Sequence, residues 1–317
     1  MIALAVLALV VVAPLALAPA VPVEVTASGP EGPLAGTLID LDPKAPAVLI
    51  LPGSGPTDRD GNSRYGVAGG PYRQLAEALA ADGIATLRVD KRGLLGSKAA
   101  VADGNSVTTS DYADDAHTWI KMLRQRSGRR CIWVLGHSEG GLVALYAAQA
   151  PDGICGVILL AAAGRPIGEV MREQFRSNPA NAAILDATMG AIDALEAGHR
   201  IDATTLPAVI QPLFADKFQP YLIDLFSHDP AKLVAAIKLP VLILQGERDL
   251  QTSVQDARLL KQAQPGATLM LLPGVNHVLR PVASDDRAAN IATYADATLP
   301  ISPSIAAAVA ALVRRPG

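Results

Sequence analysis

Gly136-His137-Ser138-Glu139-Gly140 is a G-x-S-x-G pentapeptide, and it follows the apolar run Cys131–Leu135 and precedes a helix-forming run, Gly140–Ala150. A strand, a tight turn and a helix in that order push the serine hydroxyl out at the carboxyl end of the strand. The two glycines leave the turn free of side chains, and the helix N-terminus favours negative charge developing beside it. Ser138 is therefore the candidate nucleophile. A plain turn serine is the alternative, and the strand–turn–helix context disfavours it.

A serine hydroxyl needs a base. The chain has five histidines: His117, His137, His199, His228 and His277. His117 falls mid-helix, His199 and His228 fall in a long insertion, and the side chain of His137 should point away from that of its neighbour Ser138. His277 lies just past the strand-like run Thr268–Leu272, in Pro273-Gly274-Val275-Asn276-His277, where a base at the carboxyl edge of a sheet is expected. The base in turn needs a carboxylate to fix its tautomer and stabilise the imidazolium. The strand-like run Val241–Gln245 leads into Gly246-Glu247-Arg248-Asp249, and Asp249, deeper in the loop, is preferred over Glu247. The order Ser138, Asp249, His277 is the chain order of one known arrangement of these three groups. Ala47–Leu51 ends in Pro52-Gly53-Ser54-Gly55-Pro56, whose glycines permit close backbone approach. The Ser54 and Glu139 N–H groups are the expected oxyanion-hole donors.

Around these residues the chain alternates strands and helices, which implies a mostly parallel sheet with right-handed crossovers and helices on both faces. Val21–Ala27 and Leu34–Leu41 read as an antiparallel hairpin at its edge. Then come the strands Ala47–Leu51, Ala85–Asp90, Cys131–Leu135, Gly156–Ala161, Val241–Gln245 and Thr268–Leu272. Helix-like runs at Tyr72–Asp82, Ser110–Arg126, Gly140–Ala150 and Val254–Gln264 separate them. Ile305–Val313 reads as a last helix with a serine cap and Pro303 in its first turn. Residues 165–239 interrupt the rhythm with helix-like pieces, among them Asn181–Ala197 and a short helix opened by Asp229-Pro230. The expected organisation is a core over 21–164 and 240–317, with 165–239 inserted as a helical lid; a long crossover away from the substrate is the plainer reading.

No charged side chain precedes Glu24, and Ile2–Ala13 is an unbroken apolar stretch. At about 18 Å as a helix it is too short for a bilayer core of about 30 Å, but it suits the apolar region of a signal peptide. Ala18-Pro19-Ala20 offers small residues for cleavage. Residues 1–20 are read as a signal peptide, and the protein as periplasmic or secreted. With no Lys or Arg ahead of the apolar run, an uncleaved membrane anchor is the second reading. No later segment reads as a membrane span.

The segments Leu51–Asn62, Arg88-Val89-Asp90-Lys91-Arg92-Gly93 and Gly136–Gly141 resemble bacterial α/β-hydrolase esterases, the lysophospholipase-like and serine-aminopeptidase-like group. Asp229-Pro230-Ala231 and Leu244–Asp249 add local matches. The resemblance spans residues 34–317. It implies the α/β-hydrolase fold, hydrolysis of small-molecule acyl esters through an acyl-enzyme, a Ser138–Asp249–His277 triad, and no metal or organic cofactor. Leu94-Leu95-Gly96-Ser97 departs from the group, which tends to keep one residue between the glycines. A serine peptidase or amidase, with Glu139 or Glu247 binding a substrate amine, is the alternative function. A non-catalytic binding protein is a third.

Other chemistries find little support. Gly53-Ser54-Gly55 lacks the third glycine of a dinucleotide fingerprint, Gly93–Lys98 lacks P-loop spacing, and no H-E-x-x-H or paired-cysteine zinc motif is present. A net charge of −3 over 317 residues disfavours a nucleic-acid partner. Asp58, Arg59 and Asp60 read as a salt-bridged rim loop, and Glu139 as a structural hydrogen-bond partner. Cys131 and Cys155 open consecutive strands away from the catalytic edge; a disulfide and two free buried thiols both fit. Without leader and insertion, about 222 residues remain, an ordinary size for one α/β domain.

Overall fold

A computed structural model describes residues 21–315; the signal-peptide reading of residues 1–20 lies outside them. The chain opens with the antiparallel hairpin expected at the edge, β1 (Val23–Ser28) and β2 (Pro33–Ile39). There follow β3 (Ala47–Leu51), α1 (Pro71–Ala81), β4 (Ala85–Val89), α2 (Thr109–Ser127), β5 (Ile132–His137), α3 (Glu139–Ala147) and β6 (Ile154–Leu160). The insertion holds α4 (Ile167–Arg176), α5 (Leu185–Glu196), α6 (Gln219–Phe226) and α7 (Pro230–Ala236). The chain finishes with β7 (Val241–Gly246), α8 (Val254–Ala263), β8 (Thr268–Leu272), α9 (Arg287–Ala295) and α10 (Pro303–Val313).

The strands form one eight-stranded sheet in the order β1-β2-β4-β3-β5-β6-β7-β8. β2 pairs antiparallel with β4, and from β4 to β8 every pairing is parallel. Parallel strands need helical crossovers, so both faces become covered and the strands turn apolar throughout. All five residues of β3 and β4 and all six of β5 and β7 are buried. Alternation divides their side chains between two cores. Leu49, Leu51, Ile132 and Val134 join the helix α2, α3 and α8 side, whereas Val48, Ile50, Trp133 and Leu135 join the α1 and α10 side.

Local chemistry sets the helix ends. Thr108 and Asp111 form a reciprocal capping box at the start of α2, and Ser253 and Asp256 do so at α8. Asp229 accepts from the Ala231 and Lys232 N–H groups to open α7, as its Asp-Pro sequence implies. Ser302 stands at the N-cap of α10 by position, but its hydroxyl pairs with the Ser304 hydroxyl instead of a helix N–H.

The insertion builds its own apolar cluster. Ile192, Leu195, Ile210, Phe214, Leu222, Leu225 and Phe226 pack together and are seated on the core by Leu142 of α3. α7 differs: Val234 and Ile237 belong to the main core. The expected helix over Asn181–Ala197 begins later, because Pro179–Ile184 forms a 3-10 turn ahead of α5. Cys131 and Cys155 are joined in a disulfide at the amino ends of β5 and β6, with Cα atoms 5.1 Å apart. Among the described residues no helix is long and apolar enough to cross a membrane.

Candidate active site

Ser138 sits between β5 and α3 with φ 53° and ψ −121°. A non-glycine residue in that conformation is strained and persists only where its surroundings impose it. They do. A Cβ on Gly136 would strike the Gly140 backbone, and one on Gly140 would strike the Leu51 and Pro52 carbonyls. The Ser138 N–H donates to the Leu160 carbonyl at 2.9 Å, and its carbonyl accepts from Gly141 N–H at 2.9 Å. The first N–H groups of α3, Glu139 included, have no partner inside the helix.

His277 and Asp249 meet across two loops. His277 Nδ1 lies 2.8 Å from Asp249 Oδ2. Both side chains are buried, Asp249 completely and His277 to 5% exposure. Asp249 Oδ1 accepts from the backbone N–H of Gln251 and Thr252 at 2.7 and 3.0 Å, and Oδ2 from the Thr252 hydroxyl and Gln245 amide at 3.0 and 3.2 Å. Burial works to raise the Asp249 pKa, but the His277 imidazole and these donors outweigh it and hold the carboxyl below its ordinary value. With the carboxylate ionised, Nδ1 of His277 carries the proton and Nε2 is left free to accept one. Glu247, the competing acid, is exposed and its side chain takes no part in this pair.

Asn276 anchors the histidine loop. Its carbonyl oxygen accepts from the Arg280 N–H, and its amide donates to Asn290 and Thr293 of α9. Arg280, fully buried, binds the carbonyls of Thr293, Tyr294 and Ala68. α9 is an element the hydrophobic pattern does not announce, because Asn290 alone on it is buried.

His137, set aside as a base, has a different task. Its Nδ1 stands 2.7 Å from the Tyr72 hydroxyl and its Nε2 2.9 Å from the His277 carbonyl. The Tyr72 oxygen also accepts from Gly53 N–H at 3.1 Å. Tyr72 thus donates to Nδ1, and His137 donates from Nε2 to the backbone of His277. Burial, aided by the nearby His277, drives the His137 pKa down to about 3, so the ring is neutral. One chain of hydrogen bonds then joins the loop after β3, the residue before Ser138 and the loop holding His277.

Gly53 itself packs against Ser138: a Cβ there would stand 3.3 Å from Ser138 Cβ. This places the Gly53-Ser54-Gly55 loop beside the elbow, with Ser54 exposed and Gly55 at φ 69°. The Glu139 carboxylate is buried and paired with Lys91 Nζ at 3.3 Å. The Asp58–Asp60 loop is ion-paired, Arg59 to Asp90 and Glu24 and Asp60 to Arg88. Lys91 and Tyr72 escape a search for catalytic motifs because neither type at its spacing is diagnostic. A cation two residues past a fully buried strand, behind a buried Asp90, is the signal that marks Lys91. Among the described residues no group of three His, Cys, Asp or Glu side chains is placed to hold a metal ion.

A family model described as "Serine aminopeptidase, S33" matches residues 62–207, a span that contains Ser138 but neither Asp249 nor His277. Esterase EstD of Thermotoga maritima is 27% identical over 244 residues, covering 74% of this chain and 54% of that protein. The chain therefore spans about half the length of the curated relative it matches. Among solved structures, the Pyrococcus furiosus esterase Pf2001 superposes with a TM-score of 0.54 at 20% identity, covering 81% of this chain and 84% of that one. A thermophilic esterase from Thermogutta terrifontis gives 0.56 at 18% identity over 93% and 99%. At such identities the likeness shows the fold alone, and it bears out the α/β-hydrolase architecture expected from the sequence.

Proposed function

From the α/β-hydrolase fold of this chain we propose that the protein is a serine hydrolase that cleaves carboxylic acyl esters through an acyl-enzyme, with Ser138, His277 and Asp249 as its triad. The observation that carries this reading is the buried His277–Asp249 pair at the carboxyl edge of the sheet that also presents Ser138 in its strained turn. The esterase relatives support the substrate class.

In the proposed reaction His277 Nε2 removes the Ser138 hydroxyl proton as Oγ attacks the ester carbonyl. The carbonyl π electrons move onto oxygen, and the Ser54 and Glu139 N–H groups receive the oxyanion. Asp249 stabilises the imidazolium without taking its proton. Collapse breaks the bond to the alkoxy group, which leaves with the proton held on Nε2. Water then repeats the sequence on the acyl-enzyme and frees the acid and Ser138. The helical insertion over 165–239 acts as a lid, tied to the core by Arg165 to Asp256 and by Asp224 to the Thr109 N–H.

The peptidase or amidase reading draws on the description of the family model. It requires a free carboxylate for a substrate amine; the Glu139 carboxylate is already committed to Lys91, which leaves the exposed Glu247 as the one of the two candidates able to serve it. Ester hydrolysis is the better match. Export to an oxidising compartment, the reading of residues 1–20, is supported by the Cys131–Cys155 disulfide, a bond rare in reducing cytosol. A panel of p-nitrophenyl esters of increasing acyl length tests the activity. Turnover with the wild type and its abolition by Ser138→Ala are expected; equal turnover by both proteins overturns the proposal.

A further inference from the structure

Lys91 follows β4 and the buried Asp90, so the chain delivers it to the carboxyl edge of the sheet, where the other reactive groups gather. Its side chain is 7% exposed, an unusual position for an ammonium unless it is fully engaged. Its Nζ donates to the Gly53 carbonyl at 2.9 Å and to Glu139 Oε1 at 3.3 Å, and it stands 5.5 Å from the centre of the Tyr112 ring. These are the two segments proposed to supply the oxyanion-hole donors. Tyr221 of the insertion packs against the core, and burial, with the Glu139 carboxylate nearby, drives its phenol pKa well up.

The Gly53 carbonyl and the Ser54 N–H belong to one peptide unit. In a trans peptide the two point in opposite directions, so fixing the carbonyl fixes the N–H. The loop lacks that rigidity on its own: glycine stands at 53 and 55, and no strand or helix spans the segment. The hydrogen bonds around it supply the rest. The Gly53 N–H is held by Tyr72, the Gly53 carbonyl by Lys91, and the Ser54 carbonyl accepts from the Thr57 hydroxyl at 2.9 Å. Among the described residues the Ser54 N–H makes no hydrogen bond to protein. A cation on the carbonyl also polarises the peptide and strengthens its N–H as a donor. The same cation neutralises a buried carboxylate that would otherwise repel the developing oxyanion.

We propose that Lys91 is a positioning residue for the oxyanion hole: its ammonium orients the Gly53–Ser54 peptide and locks it to Glu139 at the nucleophile turn. This rests on the serine-hydrolase reading above. Lys91 touches neither substrate nor the reacting atoms, so its contribution is to the transition state through Ser54.

The test uses Lys91→Met in the full chain, with a short-chain p-nitrophenyl ester as substrate and a trifluoromethyl ketone as inhibitor. The ketone forms a tetrahedral adduct on serine and places its oxyanion in the hole. Removing one hole donor outright costs about 100- to 1000-fold in kcat, and misorienting one should cost less. A fall in kcat of about 10- to 100-fold with KM within about threefold is expected, and ketone affinity should weaken by the same factor. Lys91→Met leaves the Glu139 carboxylate buried without its partner, so Lys91→Met/Glu139→Gln provides a neutral pair should the single variant fail to fold. The same kcat loss is expected of it. A kcat within twofold of wild type overturns the proposal. So does a kcat loss with unchanged ketone affinity, which marks a merely structural lysine. Ser138→Ala separates the two levels: an inactive Ser138→Ala beside a fully active Lys91→Met refutes only the role of Lys91, whereas an active Ser138→Ala refutes the triad itself.

Discussion

His137, buried next to Ser138, is expected to make the folded protein sensitive to acid. His137 in the folded protein takes a proton only near pH 3, whereas an unperturbed imidazole does so near 6.5. Between those values the unfolded chain binds the extra proton, so the stabilisation is complete above about 6.5 and is lost as pH falls toward about 3. Melting temperature should decline across that window. His137→Gln, although less stable at pH 8, should show a flatter decline; an equal slope in both proteins would place the acid sensitivity elsewhere. Asp249 acts lower down, since its depressed pKa removes stability only below the ordinary carboxylate range. In the proposed triad its part is larger: Asp249→Asn should lower kcat about 10⁴-fold by favouring the wrong tautomer of His277. Steady-state kinetics with a short p-nitrophenyl ester reads that loss directly.

At the scale of elements, the strands were legible because burial on both faces makes β3, β5 and β7 continuous apolar runs. The residues Ser138, Asp249 and His277 were legible through those strands, each lying just past a carboxyl end. Less could be read where apolar periodicity carries no message. α9 presents one buried residue, yet its Asn290 and Thr293 fix the loop of His277 through Asn276. Lys91, Tyr72 and His137 act through hydrogen bonds between segments far apart in sequence, and no local pattern encodes such contacts. The insertion tells a similar story. Its apolar spacing announces helices, but its seat on α3 through Leu142 depends on packing alone. Leu142 is 3% exposed within that cluster, and Leu142→Ala should cost about 2–4 kcal/mol. Limited proteolysis should then cut within residues 165–226 faster than in the wild type, and unchanged cleavage would show that the helical layer is held by its polar ties instead.

For the molecule as a whole, the proposed triad and the disulfide lie at opposite edges of the sheet. The disulfide ties the amino ends of β5 and β6, its cysteines 24 positions apart in sequence, and the proposed triad lies at the carboxyl ends. Cross-linking a loop of that length stabilises by about 3 kcal/mol in the chain-entropy account. Reduction, or a Cys131→Ser/Cys155→Ser variant, should lower the denaturant midpoint accordingly while leaving kcat on short esters unchanged at 25 °C. A large kcat loss in the still-folded variant would show that the two edges are coupled. Among the described residues one sheet carries all eight strands, with a helical layer inserted between β6 and β7.

In the proposed reaction Ser138 becomes acylated during turnover. Mixing the protein with p-nitrophenyl acetate, quenching in acid within the first turnover and mapping the mass change by peptide mass spectrometry tests this most directly. One acetyl group on the peptide carrying Ser138 is predicted, absent from Ser138→Ala and from His277→Gln. Turnover without any adduct at Ser138, or acetylation that persists equally in the His277 variant, would contradict the account.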